Sequence, residues 1–80
     1  MTITVYSKPD CVQCVWTKRK LESKGLSFNE IDVTQDAEGR KAVEASGNTT
    51  MPMVVVEHAG HKDVWHGFKD DLIKGLSRDS

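Results

Sequence analysis

Ile3-Thr4-Val5-Tyr6-Ser7-Lys8-Pro9-Asp10-Cys11-Val12-Gln13-Cys14 decides how this 80-residue chain folds. Ile3 to Tyr6 is a short β-prone run, and Ser7 to Asp10 is a turn in which Pro9 bars an extended ladder. The residues after Cys11 carry a helical spacing. Cys11 and Cys14 are the only cysteines. A bridge between them closes so short a loop that chain entropy credits it with about 2 kcal/mol before strain is subtracted. Such a bridge holds little together. Set between a strand and a helix, the pair makes better sense as a reversible dithiol and disulfide whose oxidation state is what the reaction changes.

Beyond the motif, Cys14, Thr17, Lys18 and Leu21 fall at i, i+3, i+4 and i+7, which predicts a helix from about Val12 to Lys24 with Gly25 as its stop. Ser27 to Val33 is expected as a second strand, with Phe28, Ile31 and Val33 in imperfect alternation. Thr34 or Asp36 caps a second helix that runs to about Ser46 and is ended by Gly47, and Gly39 weakens its interior. Met53-Val54-Val55-Val56 suits a strand buried on both faces; His58-Ala59-Gly60-His61 is then a turn, and Lys62 to Trp65 an antiparallel fourth strand. Phe68, Leu72, Ile73 and Leu76 predict a last helix with one apolar stripe. No repeat, low-complexity tract or linker interrupts this order. Strand, helix, strand, helix, strand, strand, helix predicts an α/β fold, a four-stranded mixed sheet flanked by three helices. That is the minimal thioredoxin-like architecture, expected as one domain over residues 1–80.

A chain of this length stands near the lower limit for burying a core without staples. Lys and Arg total 11 against 12 for Asp and Glu, a net charge of -1, so no global field favours nucleic acid or an acidic membrane surface. The sequence enters its first strand at once, with no basic region ahead of an apolar stretch and no run of about 18 apolar residues. The expectation is a cytoplasmic monomer that engages neither nucleic acid nor membrane. In that compartment thiols are kept reduced, and a cysteine pair is more often catalytic or metal-binding than structural.

Cys11 is expected at the N-cap or first residue of the helix, where unpaired N–H groups and the positive end of the helix dipole favour a thiolate. It is the candidate nucleophile. Cys14, one turn in and facing the core, is the candidate resolving thiol, meeting only a disulfide already formed at Cys11. Lys8 adds positive charge near Cys11, or is simply a solvated loop residue. Met51-Pro52 stands just before the buried strand, and a cis peptide there exposes the Met51 backbone as an edge for a partner's extended segment. His58, His61 and His66 invite a zinc site with the cysteines, but a Cys2His2 finger needs a short span to His-x3-5-His, and only Ala59-Gly60 separate His58 from His61. They read as polar hairpin residues. Trp16 falls opposite Cys14 beside Arg19 and Lys20, either covered by the Lys20 stem or contacting a partner.

These residues resemble the NrdH-redoxins, glutaredoxin-like proteins of thioredoxin fold. Tyr6, Cys11-Val12-Gln13-Cys14, Thr17-Lys18-Arg19, Pro52 with Val54-Val55, and Trp65-His66-Gly67-Phe68-Lys69-Asp70 follow that family's pattern in order and spacing. Ordinary glutaredoxins carry Pro-Tyr between their cysteines, where Val12-Gln13 stand here. They also have Thr-Val-Pro at the cis-proline loop and a Gly-Gly pair followed by Asp near the last helix for glutathione. The family's Trp-Ser-Gly-Phe-Arg-Pro-Asp segment appears as Trp65 to Asp71, with Ser, Arg and Pro replaced. The resemblance implies a thiol-disulfide oxidoreductase with no bound cofactor. Its electrons come from NADPH through a flavin-containing thioredoxin reductase and go to a class Ib ribonucleotide reductase. Lys8, Val12, Gln13, Met51, Pro52, Trp65 and Phe68 are the expected partner-binding residues, with Trp65 and Phe68 placing bulk where a glycine pair would admit glutathione. Two other readings stand beside it. A glutathione-dependent glutaredoxin would use Lys8, Met51 and Asp70 or Asp71 to hold the tripeptide, and a scaffold module would hold a metal.

Overall fold

A computed structural model describes residues 1–76; residues 77–80 of the domain expected over 1–80 lie outside the described residues. Seven elements follow the expected order: β1 (Thr2–Ser7), α1 (Val12–Ser23), β2 (Asn29–Asp32), α2 (Ala37–Ala45), β3 (Met53–His58), β4 (His61–His66) and α3 (Asp70–Lys74). They build one four-stranded sheet in the order β2-β1-β3-β4. β1 and β2 are parallel, with Tyr6 opposite Ile31, whereas β1–β3 and β3–β4 are antiparallel. A parallel neighbour needs a crossover, and α1 provides it. The tight β3–β4 turn is closed by Ala59 and Gly60, both at positive φ (51° and 83°), as a two-residue hairpin of right-handed twist requires.

The sheet divides the apolar residues into two layers. Ile3, Val5, Val54, Val56 and Trp65 pack with Leu21 of α1 and Ile73 of α3 on one face. Val43 of α2, Met53 and Val55 form the other layer, with Met51 and Cys14 at its end. Met53 to Val56 are all buried, as a central strand covered on both faces must be.

α1 buries Cys14, Thr17 and Leu21, while Lys18, expected on the same stripe, instead reaches sideways to β2. Thr17 is fully buried, and its hydroxyl donates to the Gln13 carbonyl (2.8 Å), which satisfies it within the helix. The C-terminus closes as a Schellman motif: Gly25 takes φ 71°, its N–H donates to the Glu22 carbonyl and the Leu26 N–H to the Leu21 carbonyl. Leu26, which the sequence pattern did not single out, joins Leu21 in the core through this turn. β2 is shorter than the expected Ser27–Val33: Phe28 before it packs partly against the first layer, and Val33 after it against the second.

Asp36, not Thr34, caps α2, its carboxylate accepting from the Gly39 N–H (2.9 Å), while Thr34 is tied to the Asp32 carboxylate. Gly39 was expected to weaken α2. Its helix penalty of about 1 kcal/mol is set against a close approach, since a Cβ at Gly39 would lie 2.6 Å from Ile31 Cγ2. The helix can lie on the sheet only where that atom is missing. The last helix also departs from expectation: of its apolar stripe, Ile73 is buried and Phe68 and Leu76 pack partly against the core, but Leu72 is 47% exposed.

Glu30 anchors the edge strand. Its Oε2 accepts from Lys18 Nζ (2.6 Å) and from the Ser7 hydroxyl (2.9 Å). Lys18, then Ser7, hold its carboxyl below the ordinary 4.5. A carboxyl whose folded value is depressed stabilises fully above its unfolded value and loses that stabilisation as pH falls through the folded value. Lys18→Met is therefore expected to lower stability near neutrality by a few tenths to about 1 kcal/mol, as for other half-exposed pairs. Its gap to the parent should close below pH 4.5. Urea midpoints of both proteins at neutral and acid pH check this; an equal gap at both would mean that the charge pair is not its source.

Candidate active site

The chain turns out of β1 through Asp10, whose φ of 58° is a left-handed conformation that Asp tolerates better than most side chains. That turn delivers Cys11 to the N-cap of α1 with extended backbone. Cys11 Sγ accepts from the Cys14 N–H at 3.2 Å, and the Val15 N–H donates to the Cys11 carbonyl at 3.1 Å. The sulfur thus sits where the free N–H groups of the first turn converge. Cys11 and Cys14 are joined in a disulfide with Cα atoms 5.2 Å apart. Their exposures differ: Cys11 is half-buried, whereas Cys14 is 1% exposed and packs with Met51, Met53 and Val43. An approaching thiol or disulfide reaches Cys11 first.

Met51–Pro52 is a cis peptide, and both residues are buried. The Met51 side chain packs beside Cys14, so what the loop can offer is its backbone. Among the described residues, the Met51 N–H and C=O enter no hydrogen bond. The carbonyls on either side are occupied: His66 Nδ1 lies 3.0 Å from the Thr50 oxygen, and the Gly67 N–H donates to the Pro52 oxygen at 2.8 Å. One residue further, the Phe68 N–H donates to Gln13 Oε1 at 2.9 Å. The segment 66–68 is thereby stitched to both the cysteine loop and the proline loop.

The other expected partner-binding residues separate by burial. Val12 (60% exposed) lies on the surface beside Cys11, with Val15 and Trp16 exposed further along α1. Phe68 meets Trp16 edge-on, with ring centroids 6.0 Å apart and planes at 66°, and Trp16 remains 51% exposed, so the two rings form an aromatic surface beside the cysteine loop. Lys8 is exposed and lines an open groove of about 480 Å³ with Pro9, Asp10, Val12, Val15 and Lys18. One expectation needs correction. Trp65 is 8% exposed within the first core layer, its indole N–H without a hydrogen-bond partner among the described residues. It holds β4 down and presents little surface. Gln13 is exposed, and its side-chain oxygen accepts from the Phe68 N–H, a contact between segments that are adjacent only in the folded chain.

Asp70 is engaged within the molecule. It pairs with Lys74 (3.1 Å) and Lys20 (3.4 Å), which hold its carboxyl below the usual carboxylate range. The contact between the His66 ring and the Thr50 carbonyl escaped the sequence reading. The replacement of the family's Ser by His66 was the one signal that pointed there. Among the described residues no group of three or more His, Cys, Asp and Glu is placed to hold a metal ion.

Comparison with known proteins agrees with this geometry. The glutaredoxin family matches residues 3–59. The glutaredoxin-like protein NrdH of Escherichia coli K12 is 41% identical over 76 residues, covering 95% of this chain and 89% of that protein. Glutaredoxin 3 of the same bacterium is 34% identical over 64 residues, or 76% and 77% of the two chains. A solved structure, described as the basis for the thioredoxin-like activity profile of the glutaredoxin-like protein NrdH-redoxin from Escherichia coli, has a TM-score of 0.86 at 38% identity and covers 96% of both chains.

Proposed function

The chain belongs to the glutaredoxin family, among its NrdH-like members, and from that premise we propose that it carries electrons from a flavin-containing thioredoxin reductase to a class Ib ribonucleotide reductase, with NADPH as the ultimate source. It is a thiol-disulfide oxidoreductase. In the reduced protein the Cys11 thiolate attacks one sulfur of the client disulfide; the client S–S bond breaks, a Cys11–client bond forms, and the departing client thiolate takes up a proton. Cys14 then loses its proton and attacks Cys11, forming the internal disulfide and releasing the client's second thiol. Two electrons have passed from the cysteine pair to the client. Reduction of the internal disulfide by the reductase closes the cycle, and no group beyond the two sulfurs takes part in the exchange itself. We place this work in the cytoplasm and assign it to a monomer that engages neither nucleic acid nor membrane. No helix among the described residues is long and apolar enough to cross a membrane.

The observation that favours a reductase over glutathione as the electron source is the stitched segment 66–68. Phe68, with Trp16 against it, stands beside the cysteine loop, and Asp70 is held by Lys74 and Lys20. A glutathione site needs an open place for an extended tripeptide and free groups for its two carboxylates and its amine. The thioredoxin-like activity named for the similar NrdH-redoxin supports the same choice. The test compares NADPH oxidation in two parallel assays with a protein disulfide as acceptor, one with thioredoxin reductase and one with glutathione and glutathione reductase. Turnover with thioredoxin reductase is expected to be about tenfold faster or more. A faster glutathione arm would make the chain a glutathione-dependent glutaredoxin. The client is tested separately, by whether the reduced protein sustains deoxynucleotide formation by a class Ib ribonucleotide reductase.

A further inference from the structure

We propose that His66 is a positioning residue for protein-disulfide substrates: its ring holds the Thr50 carbonyl so that the Met51 backbone alone is presented to an incoming extended segment. The inference rests on the Met51–Pro52 loop being the edge on which a client pairs during exchange.

His66 ends β4 directly opposite Met53 in the β3–β4 register, so its ring is mounted on the sheet. Thr50 is an exposed loop residue. A carbonyl oxygen can only accept, so at 3.0 Å the ring nitrogen must donate, and the neutral imidazole is the Nδ1–H tautomer. The imidazolium also carries a proton on Nδ1, so the contact persists in either charge state. With the Gly67 N–H on the Pro52 oxygen, both carbonyls flanking Met51 already hold an intramolecular donor, which makes each a poorer acceptor for a partner than one with none. The Met51 N–H and C=O remain. An extended client segment pairs through alternating donors and acceptors, and a loop offering one residue's donor and acceptor leaves one register. Without the ring, Thr50 would offer a competing acceptor and the exposed arm of the loop would lose its attachment to the sheet, so ordering would fall to the moment of binding.

The experiment uses His66→Ala and His66→Asn, since the Asn Nδ2–H group lies near the place of an imidazole Nδ1–H. Each protein is reduced with dithiothreitol, freed of it, and mixed with insulin at a series of concentrations to follow a single turnover of disulfide reduction. His66→Ala is expected to raise the half-saturating insulin concentration about 3- to 10-fold, the range one net hydrogen bond spans. The maximal rate should change by less than about twofold, and the potential of the Cys11/Cys14 pair should not move. The Gly67 amide should exchange faster with deuterium in His66→Ala, and His66→Asn should restore both the insulin dependence and the protection. Wild-type saturation in His66→Ala would overturn the proposal. So would equal impairment of the two variants, which would assign the effect to ring bulk, or a shifted potential, which would assign it to the disulfide. Neither a reductase nor ribonucleotide reductase enters the assay, so an error in the proposed electron source or client leaves its outcome readable.

Discussion

Cys11→Ser is expected to reduce disulfide exchange to the uncatalysed background, whereas Cys14→Ser keeps the first step and accumulates as a mixed disulfide with the client. The asymmetry follows from position. Cys11 Sγ stands at the N-cap and takes the N–H of Cys14, an environment that favours the attacking anion, and it is the half-buried member of the pair. Cys14, 1% exposed behind it, is placed to attack Cys11 and not the solvent. Incubating each reduced variant with a disulfide substrate and analysing the adducts by mass spectrometry checks the assignment. The Cys14→Ser adduct should carry the client on Cys11, and Cys11→Ser should give none. An adduct on Cys14 in the wild type would exchange the roles.

Ile73→Ala is expected to cost about 2–5 kcal/mol of folding stability, as deletion of a fully buried aliphatic side chain does elsewhere. In a domain whose whole stability is about 5–15 kcal/mol, that loss brings it close to unfolding. Ile73 is the buried residue of the five-residue α3 and packs into the same layer as Leu21, Val54 and Trp65. A helix so short has almost no stability of its own. Its ion pairs with Lys20 and Lys74 are partly exposed and contribute little. Leu72→Ala, one position away but 47% exposed, should change stability by less than about 0.5 kcal/mol. Urea denaturation of both variants separates them. Equal losses would mean that the apolar stripe expected from sequence, with Leu72 in the core, is the correct description.

That stripe shows where periodicity stops being informative. Phe68, Leu72, Ile73 and Leu76 fit one helical face, but the helix spans only Asp70–Lys74, so residues outside it need not share its face. Where elements were long or strongly patterned, the pattern was enough. Met53 to Val56 is a fully buried strand, and the hairpin through Ala59 and Gly60 falls where its turn residues predict. Gly39 shows the opposite case. A local rule assigns it a penalty, and its reason for being there lies across the interface, at Ile31.

The sequence by itself determined the order of the elements, the four-stranded sheet with its three helices, and the redox pair at the head of the first helix. These depend on short-range facts: side-chain spacing along a helix or strand, turn chemistry, and two cysteines one helical turn apart. Only the tertiary structure decided what surrounds that pair. Gln13 meets Phe68 across 55 residues, His66 meets Thr50 across 16, and Glu30 gathers Ser7 and Lys18 from two other elements. Trp65 goes to the core while Trp16 stays at the surface, because the sheet register places one under the helices and leaves the other on the outer face of α1. Such contacts are set by how strands align and how helices settle on them, and no spacing within a single segment encodes that alignment.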